Sequence, residues 1–196
     1  MTTEVAERWL DTKYYLQARD DEMLNPYLTD SFTKIVKDCT SVLELGCGSG
    51  WLSRIVPAEV RYLGIDYSPL AISTARERYQ TRNHQFEQED ILAYETPATP
   101  FDLACEVTLI ATLEHSILQV YNLIFDLLNN CATKCIYIVE DIRVIDLLLR
   151  YVIYHYEYAR NWNINICNIR FGGIDENVVL GHLIINKGDK GRKALP

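Results

Sequence analysis

The segment Ser41-Val42-Leu43-Glu44-Leu45-Gly46-Cys47-Gly48-Ser49-Gly50 constrains this chain more than any other. A short apolar run reaches a carboxylate and then meets glycine at three alternate positions, the pattern of a buried strand handing over to a tight loop. Gly46 permits the turn, Gly48 lets a ligand come close to the backbone, and Gly50 lets Trp51 to Val56 begin as a helix packed near the strand. The N–H groups of that first helical turn would then face a polar ligand. A dinucleotide loop reads G-x-G-x-x-G and seats a pyrophosphate at the helix N-terminus. Here the spacing is G-x-G-x-G with Glu44 at the mouth, which suits a cationic ligand better than a diphosphate. The plain alternative is a glycine-rich turn that holds nothing.

Glu44-Leu45-Gly46-Cys47-Gly48-Ser49-Gly50 resembles motif I of the Rossmann-like (class I) S-adenosylmethionine-dependent methyltransferases. The resemblance implies S-adenosylmethionine as cofactor, with Glu44, Gly46 and Gly48 around its methionine part. The sulfonium and the amino group of that ligand are both positive, so an acid in the loop has a physical reason to be there.

The residues C-terminal to the loop agree. Val60 to Asp66 is a second strand ending in an acid, 20 residues beyond Gly46, the separation at which α/β nucleotide folds place a carboxylate on a ribose diol. Ser68-Pro69 opens a helix with proline at its first position. His84 to Phe86 is a third, short strand running into Glu87-Gln88-Glu89-Asp90-Ile91. The resemblance carries the adenine contacts to Asp90 and Ile91, with Glu89 as the alternative acid, and adds Tyr67 to the cofactor-binding residues. Three acids at the ends of three successive strands are hard to explain as a solvated surface.

Phe101 to Val107 is the fourth strand, across the topological switch where open α/β sheets bind ligands, so Glu106 is expected to border both cofactor and acceptor. The Asn/Asp-Pro-Pro-Tyr/Phe tetrapeptide of relatives that methylate amide or adenine nitrogens is missing. Leu113-Glu114-His115 comes next. His115 is the sharpest acid/base candidate, since imidazole alone titrates near neutrality, and a solvated histidine at a helix start is the competing reading. Glu106 and His115 are the catalytic candidates, with Glu140 at the end of a fifth strand, Lys134 to Glu140, behind them. In-line methyl transfer demands alignment more than any fixed residue.

At the N-terminal end, the pattern predicts an amphipathic helix over residues 2 to 15; Asn25-Pro26 is expected to break it, and Asp30 to cap a helix over Ser31 to Lys37. The resemblance makes residues 1–37 a helical lid with Tyr14 toward the cofactor, and Tyr15 as a second candidate; tyrosines on such a face serve equally as core. Ile142 to Tyr158 is a long helix rich in tyrosine, a wall for the acceptor, a protein contact or core packing. Asn163 to Arg170 and Val178 to Ile185 form a terminal antiparallel pair. Lys187 to Pro196 reads as a loose tail.

The expected fold is α/β: a single-domain Rossmann-like three-layer sandwich over residues 1–187, with a mostly parallel seven-stranded sheet and an antiparallel last strand. The net charge of −8 works against a nucleic-acid partner, whose phosphates call for Lys and Arg. No stretch reaches the ~18 apolar residues of a membrane span and no signal peptide is seen, so the chain reads as cytoplasmic. Six cysteines without a C-x-x-C pair point to buried free thiols, with no metal site. The acceptor expected is a small molecule or a peptide, methylated on N or O, and a homodimer is among the expected states. Two rivals stand: a non-catalytic cofactor-binding or partner-binding relative, and a nicotinamide-dependent oxidoreductase, disfavoured by the loop spacing and by the lack of a Tyr-x-x-x-Lys set.

Overall fold

In the computed structural model, described over residues 26–107, 118–156, 162–170 and 179–187, the chain builds seven strands in the order β3-β2-β1-β4-β5-β7-β6. It divides into two compact units, residues 1–95 and 96–196. Tyr14, Tyr15, His115 and the tail from residue 188 lie outside the described residues.

In the N-terminal unit, helix α1 (Pro26–Val36) leads to β1 (Ser41–Leu45), whose five residues are all buried, as a parallel strand covered on both faces requires. The helix begins five residues earlier than its sequence pattern suggested. Proline has no N–H to lose and a φ already near the helical value, so Pro26 starts the helix where it was expected to break one. Asp30 therefore sits inside the helix, where it pairs with Lys34 at 2.6 Å one turn on, and does not cap it.

Strand β2 (Arg61–Asp66) runs parallel to β1 with Leu45 opposite Ile65, and β3 (His84–Gln88) runs parallel to β2 with Asp66 opposite Gln88. The carboxyl ends of all three therefore lie side by side, at the ~4.8 Å spacing of neighbouring strands. Between β2 and β3, α2 (Pro69–Tyr79) buries Ala71, Ile72, Thr74 and Ala75. Ser68 caps it, its side chain accepting the Ala71 N–H at 3.2 Å, with Pro69 in the first turn. Arg76 fastens it to β3 by donating from Nε and Nη2 to the Phe86 carbonyl at 2.9 and 2.7 Å. The helix expected after the glycine loop is shorter than its pattern implied. It is a five-residue 3-10 turn, Trp51–Ile55, whose Ser53 hydroxyl returns to the Gly50 carbonyl at 2.6 Å, and Pro57 stands just beyond its end. That local side-chain bond and the proline leave no room for a regular helix.

In the C-terminal unit, β4 (Phe101–Val107) and β5 (Ala132–Asp141) are parallel, and β7 (Val179–Asn186) runs antiparallel to both β5 and β6 (Asn163–Arg170). Helix α3 (Leu118–Cys131) precedes β5 and α4 (Ile142–His155) comes after it. Asp141 caps α4 by accepting the Arg143 N–H at 2.8 Å. Gly181 on β7 admits α4 closely, since a Cβ there would lie 2.8 Å from Ile142. The tyrosines of this region divide. Tyr151 and Tyr156 turn inward to share Asp126 of α3, at 3.0 and 2.6 Å, with Phe125 edge-on to both rings, whereas Tyr154 is 84% exposed. Lys187 corrects the expectation of a tail beginning at that residue. It is buried against the Trp162 ring and donates to the Asn129 and Ala132 carbonyls, stapling the end of α3 to the last strand. Cys39, Cys47, Cys105, Cys131 and Cys135 are buried and form no disulfide among the described residues.

Candidate cofactor site

The loop after β1 is shaped by its glycines. Gly46, Gly48 and Gly50 have φ of 72°, 52° and 80°, a region in which an L side chain is strained. The Gly46 and Cys47 N–H groups both donate to the Ile65 carbonyl, at 2.8 and 3.0 Å, which ties the loop to β2. Missing side chains at two positions let it pack down. A Cβ on Gly50 would sit 2.7 Å from the Phe86 ring, and one on Gly64, inside β2, would meet Cys47 at 2.9 Å. A glycine within a strand marks such a close approach of another segment.

Asp66 organises the tips of the strands. Its Oδ2 accepts the Gly48 N–H at 2.9 Å and its Oδ1 accepts the Ser68 N–H at 2.8 Å, while its carbonyl accepts the Glu89 N–H at 3.1 Å. One residue thus joins the glycine loop, the start of α2 and the chain leaving β3. A carboxylate has about four lone-pair positions, so two backbone donors leave acceptor capacity for a ligand diol. Burial raises the Asp66 pKa above the ordinary carboxylate value, and the Ser68 and Gly48 bonds oppose the rise.

Glu44, expected at the mouth of the loop, lies deeper. It is 1% exposed and accepts a hydrogen bond from the hydroxyl of Tyr62, which is itself fully buried. Burial pushes the Glu44 pKa up to about 8; the Tyr62 bond opposes this and the nearby Asp66 charge adds to it. On the open side, Tyr67 is 40% exposed next to Asp66. Asp90 is exposed at the turn after β3, where its Oδ1 accepts the Leu92 N–H at 3.0 Å, and Ile91 is half-buried beside it.

The N-terminal unit therefore brings Glu44, Gly46, Gly48, Asp66, Tyr67, Asp90 and Ile91 to the carboxyl ends of three adjacent strands. The other acids belong to the C-terminal unit. Glu106 is the next-to-last residue of β4 and Glu140 the next-to-last of β5, and both are fully buried. Reading the sequence missed Tyr62 and Gly64, and it read Ser68 only as the start of a helix. Of the two that were missed, Gly64 had a local signal, as a glycine in an otherwise apolar strand.

The donor set fits a nucleoside carrying positive charge. Asp66 offers paired acceptors for two hydroxyls, Asp90 offers an exposed carboxylate to an amino group, and the loop is backed by two acids where a diphosphate would need cations.

Residues 42–130 match the family model described as a methyltransferase domain. No curated protein sequence matches the chain. Among solved structures, the N-methyltransferase NodS from Bradyrhizobium japonicum WM9, in complex with S-adenosyl-L-homocysteine, is 19% identical, with 93% of this chain and 97% of that one covered and a TM-score of 0.64. The plantazolicin methyltransferase BpumL in complex with S-adenosyl-L-homocysteine is 16% identical over 93% and 89%, with a TM-score of 0.62. Magnesium protoporphyrin IX methyltransferase (ChlM) from Synechocystis PCC 6803, with bound S-adenosylmethionine, is 13% identical over 95% and 92%, with a TM-score of 0.61. Residues 42–130, which hold the glycine loop and the strand-end acids through Glu106, thus match a methyltransferase domain, and the chain shares the fold of solved methyltransferases bound to S-adenosylmethionine or S-adenosyl-L-homocysteine.

Proposed function

We propose that this chain methylates a nitrogen or oxygen of a small-molecule or peptide-like acceptor, and that its cofactor lies along the ends of β1, β2 and β3. The observation that carries the reading is the row formed by the glycine loop, Asp66 and Asp90. Asp66 would accept the two ribose hydroxyls, Asp90 the adenine amino group, Ile91 and Tyr67 would lie against the rings, and Glu44 would balance the positive methionine end. Bound S-adenosylmethionine supplies an activated methyl group on a cationic sulfur, with a neutral leaving group. The chain's own work is to orient the acceptor and, for an acidic nucleophile, to take its proton. Glu106 and His115 are the proposed bases.

The acceptor class is supported by the net charge of −8, which opposes a phosphate backbone, and by the missing tetrapeptide of amide and adenine-N6 methylation. The similar structures are a plantazolicin methyltransferase, a magnesium protoporphyrin IX methyltransferase and an N-methyltransferase. Radiolabel transfer from the cofactor into fractionated metabolite and peptide pools tests the reading. Label in those pools supports it; label only in RNA or DNA overturns the acceptor class. The second reading, a relative that binds without transferring, is favoured by the exposed apolar side chains Leu147, Ile153 and Tyr154 on α4. Tight cofactor binding with no transfer into any pool would decide for it.

A further inference from the structure

Glu44 has a neighbour that the cofactor reading does not use. In the β1–β2 register Glu44 stands opposite Gly64 and Tyr62 stands opposite Val42, so the tyrosine reaches the acid diagonally along one face of the sheet. Where Gly64 lacks a side chain, Cys47 of the glycine loop packs down beside the acid's register partner. The Tyr62 ring is held by His84 and Phe86 of β3, with centroids 5.5 and 5.6 Å away. Its hydroxyl thus has a fixed position in the core, directed at Glu44, and neither residue reaches solvent.

We propose that Tyr62 is a positioning residue of the cofactor site, acting through Glu44, and that loading a cationic ligand on the glycine loop draws the proton off this sealed acid. The inference rests on the cofactor reading above and adds to it a residue and a proton. Two effects favour the neutral acid: burial, and the charge of Asp66 on β2; the Tyr62 bond opposes them, and the balance leaves Glu44 titrating at about 8. Among the described residues of this unit, other titratable groups on the neighbouring elements have these surroundings. His84 of β3 lies against the Tyr62 ring, with its Nε2 3.3 Å from the Pro57 carbonyl; Arg76 of α2 is bonded to the Phe86 carbonyl; Asp30 and Lys34 of α1 pair with each other at the surface; Arg54 of the 3-10 turn is exposed. A ligand's sulfonium and ammonium bring positive charge to the loop, which makes the carboxylate the favoured form. The proton passes to the buffer, and the Tyr62 hydroxyl, already a donor, strengthens its bond as the charge develops.

The test is calorimetric titration of the full chain, of Tyr62→Phe and of Glu44→Gln with S-adenosylmethionine and S-adenosylhomocysteine, from pH 6 to 8.5, in paired buffers of different ionisation enthalpy. The ligand's own amino group titrates in this range, near the α-amino value of about 7.7 to 8.0. Glu44→Gln keeps that titration and loses the acid's, so it is the reference. Relative to it, wild-type affinity should strengthen by up to about tenfold per pH unit below pH 8 and release close to one further proton per ligand at pH 7. Tyr62→Phe should bind about tenfold or more weakly at pH 7, with its profile displaced to higher pH, because the ionised acid loses its donor. Equal pH slopes and proton counts in wild type and Glu44→Gln would overturn the proton, and a Tyr62→Phe profile superimposable on wild type would overturn the tyrosine's role. Should Tyr62→Phe lose its cooperative melting, the comparison of wild type with Glu44→Gln still decides the proton, and with it whether there is an ionisation for the tyrosine to act on. No binding by the wild-type chain at any pH would instead remove the cofactor reading, and this inference with it.

Discussion

Gly48 donates its backbone N–H to Asp66 across 2.9 Å, so the acid at the tip of β2 holds the glycine loop of β1. The two residues are 18 apart in sequence and belong to neighbouring parallel strands. In the proposed function, loop geometry and ribose recognition meet in this one side chain.

Asp66→Ala should for that reason do two things at once. Losing charge-assisted bonds to the ribose should weaken S-adenosylhomocysteine binding by about 2 to 4 kcal/mol, and leaving the Gly48 and Ser68 N–H groups without their acceptor should lower stability by about 1 to 3 kcal/mol. Asp66→Asn, which keeps one carbonyl oxygen, should recover part of the stability and little of the affinity. Calorimetry and urea unfolding on both variants separate the effects. Wild-type affinity in Asp66→Ala would remove the ribose role, and wild-type stability would show that water replaces the carboxylate on the loop.

The raised pKa of Glu44 sets the sign of a stability profile. With a folded value of about 8 and an ordinary value of 4.5, the native chain holds a proton there that the unfolded chain releases. Stability from this group is fully present below pH 4.5 and is lost as the pH rises through about 8. Replacement by Gln, a neutral side chain of the same shape, should flatten that decline, so Glu44→Gln should gain on wild type between pH 6 and 8.5. Urea midpoints measured across that range check it. A wild-type curve parallel to that of Glu44→Gln would mean that the carboxyl ionises at an ordinary pH inside the fold.

Gly64→Ala tests how closely the loop must pack. The new Cβ would lie 2.9 Å from both Cβ and Sγ of Cys47 and 3.0 Å from the Phe86 ring, so the loop must lift or the ring must shift. A loss of about 1 to 3 kcal/mol in stability is expected, together with weaker cofactor binding, because Gly46 and Gly48 move with Cys47. The double variant Gly64→Ala with Cys47→Ala should recover much of both, and failure to do so would place the strain elsewhere.

The legible parts of this chain were those whose cause is local. Strand β4 (Phe101–Val107) and the opening of α2 at Ser68-Pro69 follow from apolar runs and a cap, and the spacing from Gly46 to Asp66 located the second acid without any tertiary information. Pro26 misled because the same residue breaks a helix from inside and starts one from its first turn; which of these applies depends on what precedes it. Trp51–Ile55 misled because its apolar residues mark burial and do not specify a helix type. The Tyr62–Glu44 bond was not legible at all. It depends on the register that sets Glu44 opposite Gly64, and register is a property of the pair of strands.

Lys187 supplies the last prediction, since it shows the closing strand serving a distant helix end. Its ammonium donates to the Asn129 carbonyl and, at 2.8 Å, to the Ala132 carbonyl, groups left without intrahelical partners where α3 passes into β5, and it lies 5.7 Å from the Trp162 ring centroid. Lys187→Met keeps most of the volume and removes the donors, leaving two buried carbonyls unsatisfied, and should cost about 2 to 3 kcal/mol. Burial holds the ammonium's pKa down at about 8 against an ordinary 10.5, so between those values the unfolded chain binds a proton that the native chain does not. Stability attributable to this residue therefore rises with pH across that window, and Lys187→Met should lack the rise. Denaturant midpoints at about pH 7.5 and about pH 10, on either side of most of that window, measure both effects. A variant as stable as wild type at the lower pH would show that the end of α3 is held by packing around Phe125 and Leu128 alone.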